Sequence, residues 1–240
     1  MKYFVSADVH SFYTPWMQAL NEAGFDKNNP NHKIILCGDA FDRGNESNQV
    51  LEFIKDMLDM DKLIYVKGNH ELLLKDCCKQ IKDGLIPSPH HWHNGTVKTI
   101  CQLYGVPSEW IILEPDYTDL ICDAMQSVLG FIDKNSVNFF ETKNYIFVHS
   151  TIPNVDNWRN ATNEDWKEAM WKNPFSNFNP VDGKTIVFGH WHTSWARHQE
   201  FGPNADFSPY YGNGYIGIDT CTARSGKVNV LVVEDEIEED

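Results

Sequence analysis

The hydrophobic pattern changes period along the chain. Residues 2–7, 32–37 (HKIILC) and 63–67 are short apolar runs. Runs of that length predict strands buried on both faces. Between them the spacing is helical. Thr14-Pro15 reads as an N-cap followed by proline, and apolar residues recur at helical intervals from Trp16 to Ala23. Val50, Leu51, Ile54, Met57 and Leu58 form one stripe of a helix over 47–58. This alternation predicts a parallel sheet with right-handed crossovers, an α/β chain.

Residues 71–135 read as mainly helical, with Asn94 capping a helix that runs to Tyr104 and a second helix over 117–132. Prolines at 87, 89, 107 and 115 punctuate the joins. Strands then return. Residues 136–141 and 145–149 read as a hairpin turning near Lys143-Asn144, followed by strands over 185–188, 215–219 and 227–233. The expectation is a single domain over 1–233, with 71–135 as a helical insertion. The acidic residues 234–240 carry no turn or core signal and read as a solvated tail.

Charge narrows the function. Lysine and arginine total 20 against 34 acidic residues, so the 240-residue chain has a formal charge of 20 − 34 = −14. Such a balance argues against general nucleic-acid binding and against a polybasic membrane contact. The N-terminus is not a signal sequence, because Asp8 and His10 interrupt its apolar run, and no stretch reaches the roughly 18 apolar residues of a membrane helix. The six cysteines form no CxxC pair, so reduced thiols and a cytoplasmic location are expected. Cys77-Cys78 reads as filler on a helix.

The chemistry-bearing residues stand just after predicted strands. These are Asp8-Val-His10, Gly38-Asp-Ala-Phe-Asp-Arg-Gly44, Gly68-Asn-His-Glu71, His149 and Gly189-His-Trp-His192. In an open α/β sheet, ligands sit outside the carboxyl ends of strands. Carboxylates, a carboxamide and imidazoles gathered on one rim form a donor set for manganese, iron or zinc. Each motif alone has an ordinary reading as a turn or a cap. Their joint occurrence at successive strand ends does not.

Together these motifs resemble the calcineurin-like metallophosphoesterase superfamily, and GDxxDRG with GNHE resembles its phosphoprotein-phosphatase branch. That branch includes bacterial and phage serine/threonine phosphatases and symmetrical dinucleoside tetraphosphatases. Tyr215-Ile-Gly-Ile-Asp-Thr220 and Gly226-Lys-Val228 resemble its closing strands. The resemblance implies a four-layer αββα sandwich of two mixed sheets with a mainly helical insertion. It implies two divalent ions, manganese first, with iron or zinc as alternatives. Asp8 and His10 would hold one ion, Asp39 would bridge, and Asn69, His149 and His190 would hold the other. Arg43 and Asn69 would bind phosphate. His70 would be the general acid, oriented by Asp42, and a metal-bridging hydroxide would attack phosphorus in line.

Three departures matter. Ser11 stands where the branch usually has glycine. His192 is an extra histidine, either a ligand of the first ion or a residue facing substrate. The branch usually supplies a second phosphate-binding arginine near Met170-Trp-Lys-Asn-Pro174, where Lys172 or Arg159 would have to substitute. The expected function is hydrolysis of phosphate monoesters on a phosphoprotein, of the serine/threonine type. The alternative is symmetrical cleavage of a dinucleoside polyphosphate, and an inactive metal-binding scaffold ranks third. Three further stretches have plainer readings. Residues 90–93 (HHWH) read as a solvated loop rather than a metal site. Trp158, Trp166 and Trp171 read as core rather than a base platform. Residues 202–214 read as a surface loop, with a lid as the alternative.

Overall fold

The computed structural model describes residues 1–107, 118–176, 181, 183–199, 201–202 and 204–237. Strands β1 (Lys2–Ser6), β2 (His32–Cys37) and β3 (Leu63–Val66) pair in parallel through helices α1 (Tyr13–Glu22) and α2 (Ser47–Asp59). Four helices follow: α3 (Asn69–Lys82), α4 (Pro89–Asn94), α5 (Thr96–Tyr104) and α6 (Thr118–Asn135). Strand β4 (Ser136–Val137) then joins β3 in parallel. A second sheet contains β5 (Phe139–Glu141), β6 (Tyr145–Val148), β7 (Thr185–Phe188), β8 (Tyr210–Gly212) and β9 (Tyr215–Gly217) in the order β5-β6-β7-β9-β8. Helix α7 (Asn163–Met170) covers its outer face, and β10 (Leu231–Glu234) returns to pair antiparallel with β1. Both sheets are mixed.

The period of two along each strand builds the layers. Tyr3 and Val5 of β1, Ile35 and Cys37 of β2, and Phe147 of β6 pack between the sheets. Their neighbours Phe4, Ile34 and Leu36 face outward onto the helices of the first half. Ile146 and Val148 face outward onto Trp158, Trp166 and Met170. Full burial of such side chains contributes roughly 1.5–3 kcal/mol each. The central strands of both sheets are therefore dry on both faces, and their ends are where polar groups can collect.

Six local expectations change. The run 136–141 does not form one strand, because Ser136–Val137 pairs with β3 and Phe139–Glu141 pairs with β6 in the other sheet. The region 202–214 is not all loop, since β8 pairs antiparallel with β9. Thr14 is not a cap. The helix begins at Tyr13, and the Thr14 hydroxyl bonds the Glu46 carboxylate at 2.5 Å. Ser88-Pro89 is the pair that does start a helix, with Pro89 at its first position. Residues 90–93 are thus helical, and His91 is fully buried against Asp76, 3.0 Å from its carboxylate. Asn94 closes that helix, and Gly95, with φ at 88°, turns the chain into α5. Finally, Glu234 belongs to β10, and buried Asp235 accepts hydrogen bonds from Thr142 and Asn144, so the solvated tail cannot begin at residue 234.

Candidate metal centre

The strand ends converge. Asp8 and His10 follow β1, Asp39 follows β2, Asn69 and His70 open α3 after β3, His149 follows β6, and His190 and His192 follow β7. Donor atoms of His10, Asp39 and His70 lie within 4.8 Å of one another, as do those of Asp39, His149 and His190. Asp39 belongs to both groups. Its Oδ2 is 3.8 Å from His10 Nε2, and its Oδ1 is 3.4 Å from His149 Nε2. Asp8 Oδ1 lies 3.9 Å from His10 Nε2. Asn69 Oδ1 sits 2.7 Å from His149 Nε2, and His190 Nδ1 sits 3.2 Å from the same nitrogen.

The ring orientations follow from the backbone. His10 Nδ1 is held by Phe41 O at 2.8 Å, and His149 Nδ1 by Cys37 O at 2.9 Å. Each contact fixes the tautomer and leaves Nε2 facing the cluster as a donor. The loops themselves are strained. Asp8, His10, Ser11, Asp39, Asp42, Arg43 and His190 all have positive φ, between 50° and 76°. Such strain persists only where the surroundings over-determine it. Ser11 occupies the left-handed region that glycine would favour, and its hydroxyl bonds Ser47 at 2.8 Å. Gly189 and Gly68 have another reason. A Cβ on Gly189 would overlap the Asp8 carboxylate, and one on Gly68 would overlap Asp39.

Electrostatics indicate what the cluster can hold. Asp8, Asp39, Asp42, Glu71 and Asp219 are each at most 6% exposed. Burial pushes Asp8 well up, and the neighbouring Asp219 and Asp39 charges add to it. Burial likewise lifts Asp219 to about 6. Burial pushes Asp39 upward too, but the imidazoles around it outweigh that and hold it below the carboxylate range. His10 is pushed well down by burial and by Arg43, and His190 falls to about 3, chiefly through burial. The His10 and His190 rings are therefore neutral donors set among buried carboxylates. Divalent cations fit this donor set, because they need neutral imidazole and ionised carboxylate together.

His70 differs from the other rings. Its Nδ1 is 2.7 Å from Asp42 Oδ2, which also accepts the Thr96 hydroxyl at 2.7 Å. The Asp42 backbone N–H donates to Thr99 Oγ1 at 3.0 Å. Burial alone would lower His70, but Asp39 and the Asp42 hydrogen bond outweigh it and raise the ring above its ordinary value. It thus keeps a proton more readily than His10 or His190, whose rings are pushed down. Arg43 follows on an exposed loop, its N–H bonded to Asn94 O at 3.2 Å.

Sequence reasoning missed the braces. Glu71 accepts from the N–H groups of Asp39, Ala40 and Gly68 at 3.1, 2.9 and 2.7 Å, tying two motif loops together. Thr96 and Thr99 carry no local pattern, and Asp219 stands out only as part of the closing-strand motif 215–220. Three expected residues sit apart from the two donor groups. Lys172 ion-pairs with Glu168 at 2.7 Å, and Arg159 lies bidentate on Glu141. His192 is in neither group. It shares a hydrogen bond with Ser194 Oγ at 2.8 Å and packs on Phe201. Of the three tryptophans, Trp158 and Trp166 are core. Trp171 is not, being 51% exposed with its ring 6.5 Å from that of His190.

The family model for calcineurin-like phosphoesterases matches residues 1–206. The chain belongs to that family. The calcineurin-like fold recurs in a cold-active protein-tyrosine phosphatase from a psychrophilic Shewanella species. That structure matches with a TM-score of 0.57 and 16% identity over 97% of this chain and 75% of that one. Two curated relatives match a shorter stretch. A symmetrical bis(5'-nucleosyl)-tetraphosphatase of Proteus mirabilis is 38% identical over 74 residues, 31% of this chain and 26% of that protein. The asymmetrical bis(5'-nucleosyl)-tetraphosphatase PrpE of Anoxybacillus flavithermus is 32% identical over 76 residues, 29% of this chain and 31% of that one. The match thus spans less than a third of either relative.

Proposed function

We propose that this chain is a dinuclear-metal phosphoesterase acting on phosphate monoesters, of the serine/threonine protein-phosphatase type. One observation carries the reading. Asp39 is shared by two donor groups, and the His70–Asp42 pair stands beside that same carboxylate, with His70 Nε2 3.8 Å from Asp39 Oδ2. Asp8, His10 and Asp39 would hold one divalent ion, with His192 as a further ligand. Asp39, Asn69, His149 and His190 would hold the second. Manganese is the first ion to test, and iron and zinc follow. Bound together, two such ions supply Lewis acidity and a water nucleophile at neutral pH.

The chain's own groups do the rest. Arg43 presents a planar fork to phosphate oxygens, and Asn69 adds a carboxamide beside it. His70 donates a proton from Nε2 to the leaving oxygen, while Asp42 fixes the tautomer by accepting from Nδ1. Thr96 in turn orients Asp42. Lys172 is the remaining cation for the phosphate rim, once released from Glu168.

A second reading is symmetrical hydrolysis of dinucleoside polyphosphates. The match to a symmetrical tetraphosphatase supports it, the match to an asymmetrical one supports only the dinucleotide substrate class, and the exposed face of Trp171 offers a place for a base. A silent scaffold is disfavoured, since metal retention needs neither the proton donor nor the arginine. The test is competition in manganese among a phosphoserine peptide, a phosphotyrosine peptide and diadenosine tetraphosphate, ranked by kcat/KM. The phosphoserine peptide is expected to lead. A lead for diadenosine tetraphosphate would replace the first reading with the second.

A further inference from the structure

A groove of about 700 Å³ lies along α3, between that helix and α6, and Trp171 in its wall has its ring 6.5 Å from that of His190. Its near end is apolar, lined by Trp171 and by Leu72, three residues along α3 from Asn69. Its far end is cationic. Lys75, Lys79, Lys82 and Lys167 line it against Asp76 and Asp133, a balance of 4 − 2 = +2 in a chain of −14. Lys75 pairs with Asp133 at 2.8 Å. Lys79 and Lys82 have no ion-pair partner among the described residues.

We infer that this groove reads the flank of a phosphopeptide, taking an apolar side chain against Trp171 and then acidic side chains on Lys79 and Lys82. The inference rests on the phosphoprotein reading above. Helix geometry sets the spacing. Asn69 and His70 stand on the first turn of α3, and a rise of ~1.5 Å per residue puts Lys79 about 14 Å and Lys82 about 19 Å further on. An extended peptide advances ~3.3 Å per residue, so those lysines meet side chains about four to six positions from the phosphorylated residue. Leu72 and Trp171 meet a side chain one or two positions away. A dinucleoside polyphosphate fits this layout less well. Its charge lies next to the reacting phosphorus, and its base would leave the outer lysines uncovered.

The experiment compares phosphoserine peptides in manganese. Each carries leucine near the phosphoserine and either an Asp/Glu block or a Lys block four to six residues away, on either side. In the wild type, kcat/KM for the acidic block exceeds that for the lysine block by about tenfold or more on one side. The ratio falls below about twofold in K79E/K82E and in high salt, where exposed charges are screened. Trp171→Ala removes the preference for leucine over glycine near the phosphoserine. Because each variant is read as a ratio between peptides, a partial loss of folded protein cancels. Equal rates for both blocks in the wild type, or an unchanged ratio in K79E/K82E, overturn the groove and leave the phosphatase reading standing. Cleavage of diadenosine tetraphosphate with none of any phosphopeptide overturns both.

Discussion

At the rim of the first sheet, Asp8, Asp39, Asp42, His70 and Glu71 are at most 3% exposed, and short hydrogen bonds tie Asp42 to His70 and Thr96, and Glu71 to three backbone N–H groups. At the rim of the second sheet, Trp171 is half exposed, Lys172 turns to Glu168, and His192 packs on Phe201, itself 46% exposed. The first rim is over-determined, as proton transfer and metal bridging require. The second is held mainly by aromatic contacts and a few exposed pairs. Apart from His149 and His190 the second rim is less tightly held, so substitutions on the two rims should fail in different ways.

Asp39→Asn gives the sharpest break on the first rim. The residue serves both donor groups, so its loss is expected to lower turnover by about a thousandfold or more and to reduce bound manganese below two per chain. Activity and metal content measured on the same sample check this. Turnover near the wild-type rate would sink the shared-carboxylate arrangement.

The proton donor comes next. His70→Asn is expected to slow a phosphoserine peptide by roughly 10²–10⁴-fold, because serine is a poor leaving group. p-Nitrophenyl phosphate needs little protonation and should lose far less. Equal losses on both would remove His70 from the acid role. The sign of the pH effect follows from its raised pKa. The donor works only when protonated, so kcat falls as pH rises through the His70 pKa. Asp42→Asn removes the carboxylate that raises it, and the alkaline limb should move to lower pH. An unmoved limb would mean that another group controls it.

Glu71 tests whether the brace matters apart from the chemistry. Glu71→Gln keeps the size but replaces one acceptor oxygen with a donor that faces backbone N–H groups. A cost of about 1–3 kcal/mol is expected, read as a lower denaturant midpoint. An unchanged midpoint would show that the loops hold without it.

The same contrast explains what could be read from the chain. Asp8-Val-His10, GDAFDRG and GNHE are contiguous, because one tight turn at a strand end delivers each set of ligands locally. The ligand types were therefore legible. Thr96 and Thr99 lie 54 and 57 residues from Asp42, and nothing near either marks the contact. The split of 136–141 between two sheets was hidden for a related reason, since β propensity does not encode which sheet a strand will join. Ser88-Pro89 carried the same signal as Thr14-Pro15, yet only the former opens its helix, because Glu46 captures the Thr14 hydroxyl. Trp171 looked like Trp158 and Trp166 in sequence. Its position just past the end of α7, not its type, leaves it at the surface.

His192 carries the smallest and finest test. His10 and His149 each have Nδ1 tied to a backbone carbonyl and Nε2 left to face the cluster. His192 repeats half of that pattern, with Nδ1 tied to Ser194 Oγ. The ring itself stands outside both donor groups. As a ligand of the first ion, His192→Ala should weaken manganese affinity by about tenfold or more, and Ser194→Ala, which loosens only the tether, by less. Titration calorimetry with manganese reads both. Unchanged affinity in His192→Ala would move the residue to the substrate-facing rim, beside Trp171, and leave only Asp8, His10 and Asp39 to hold the first ion.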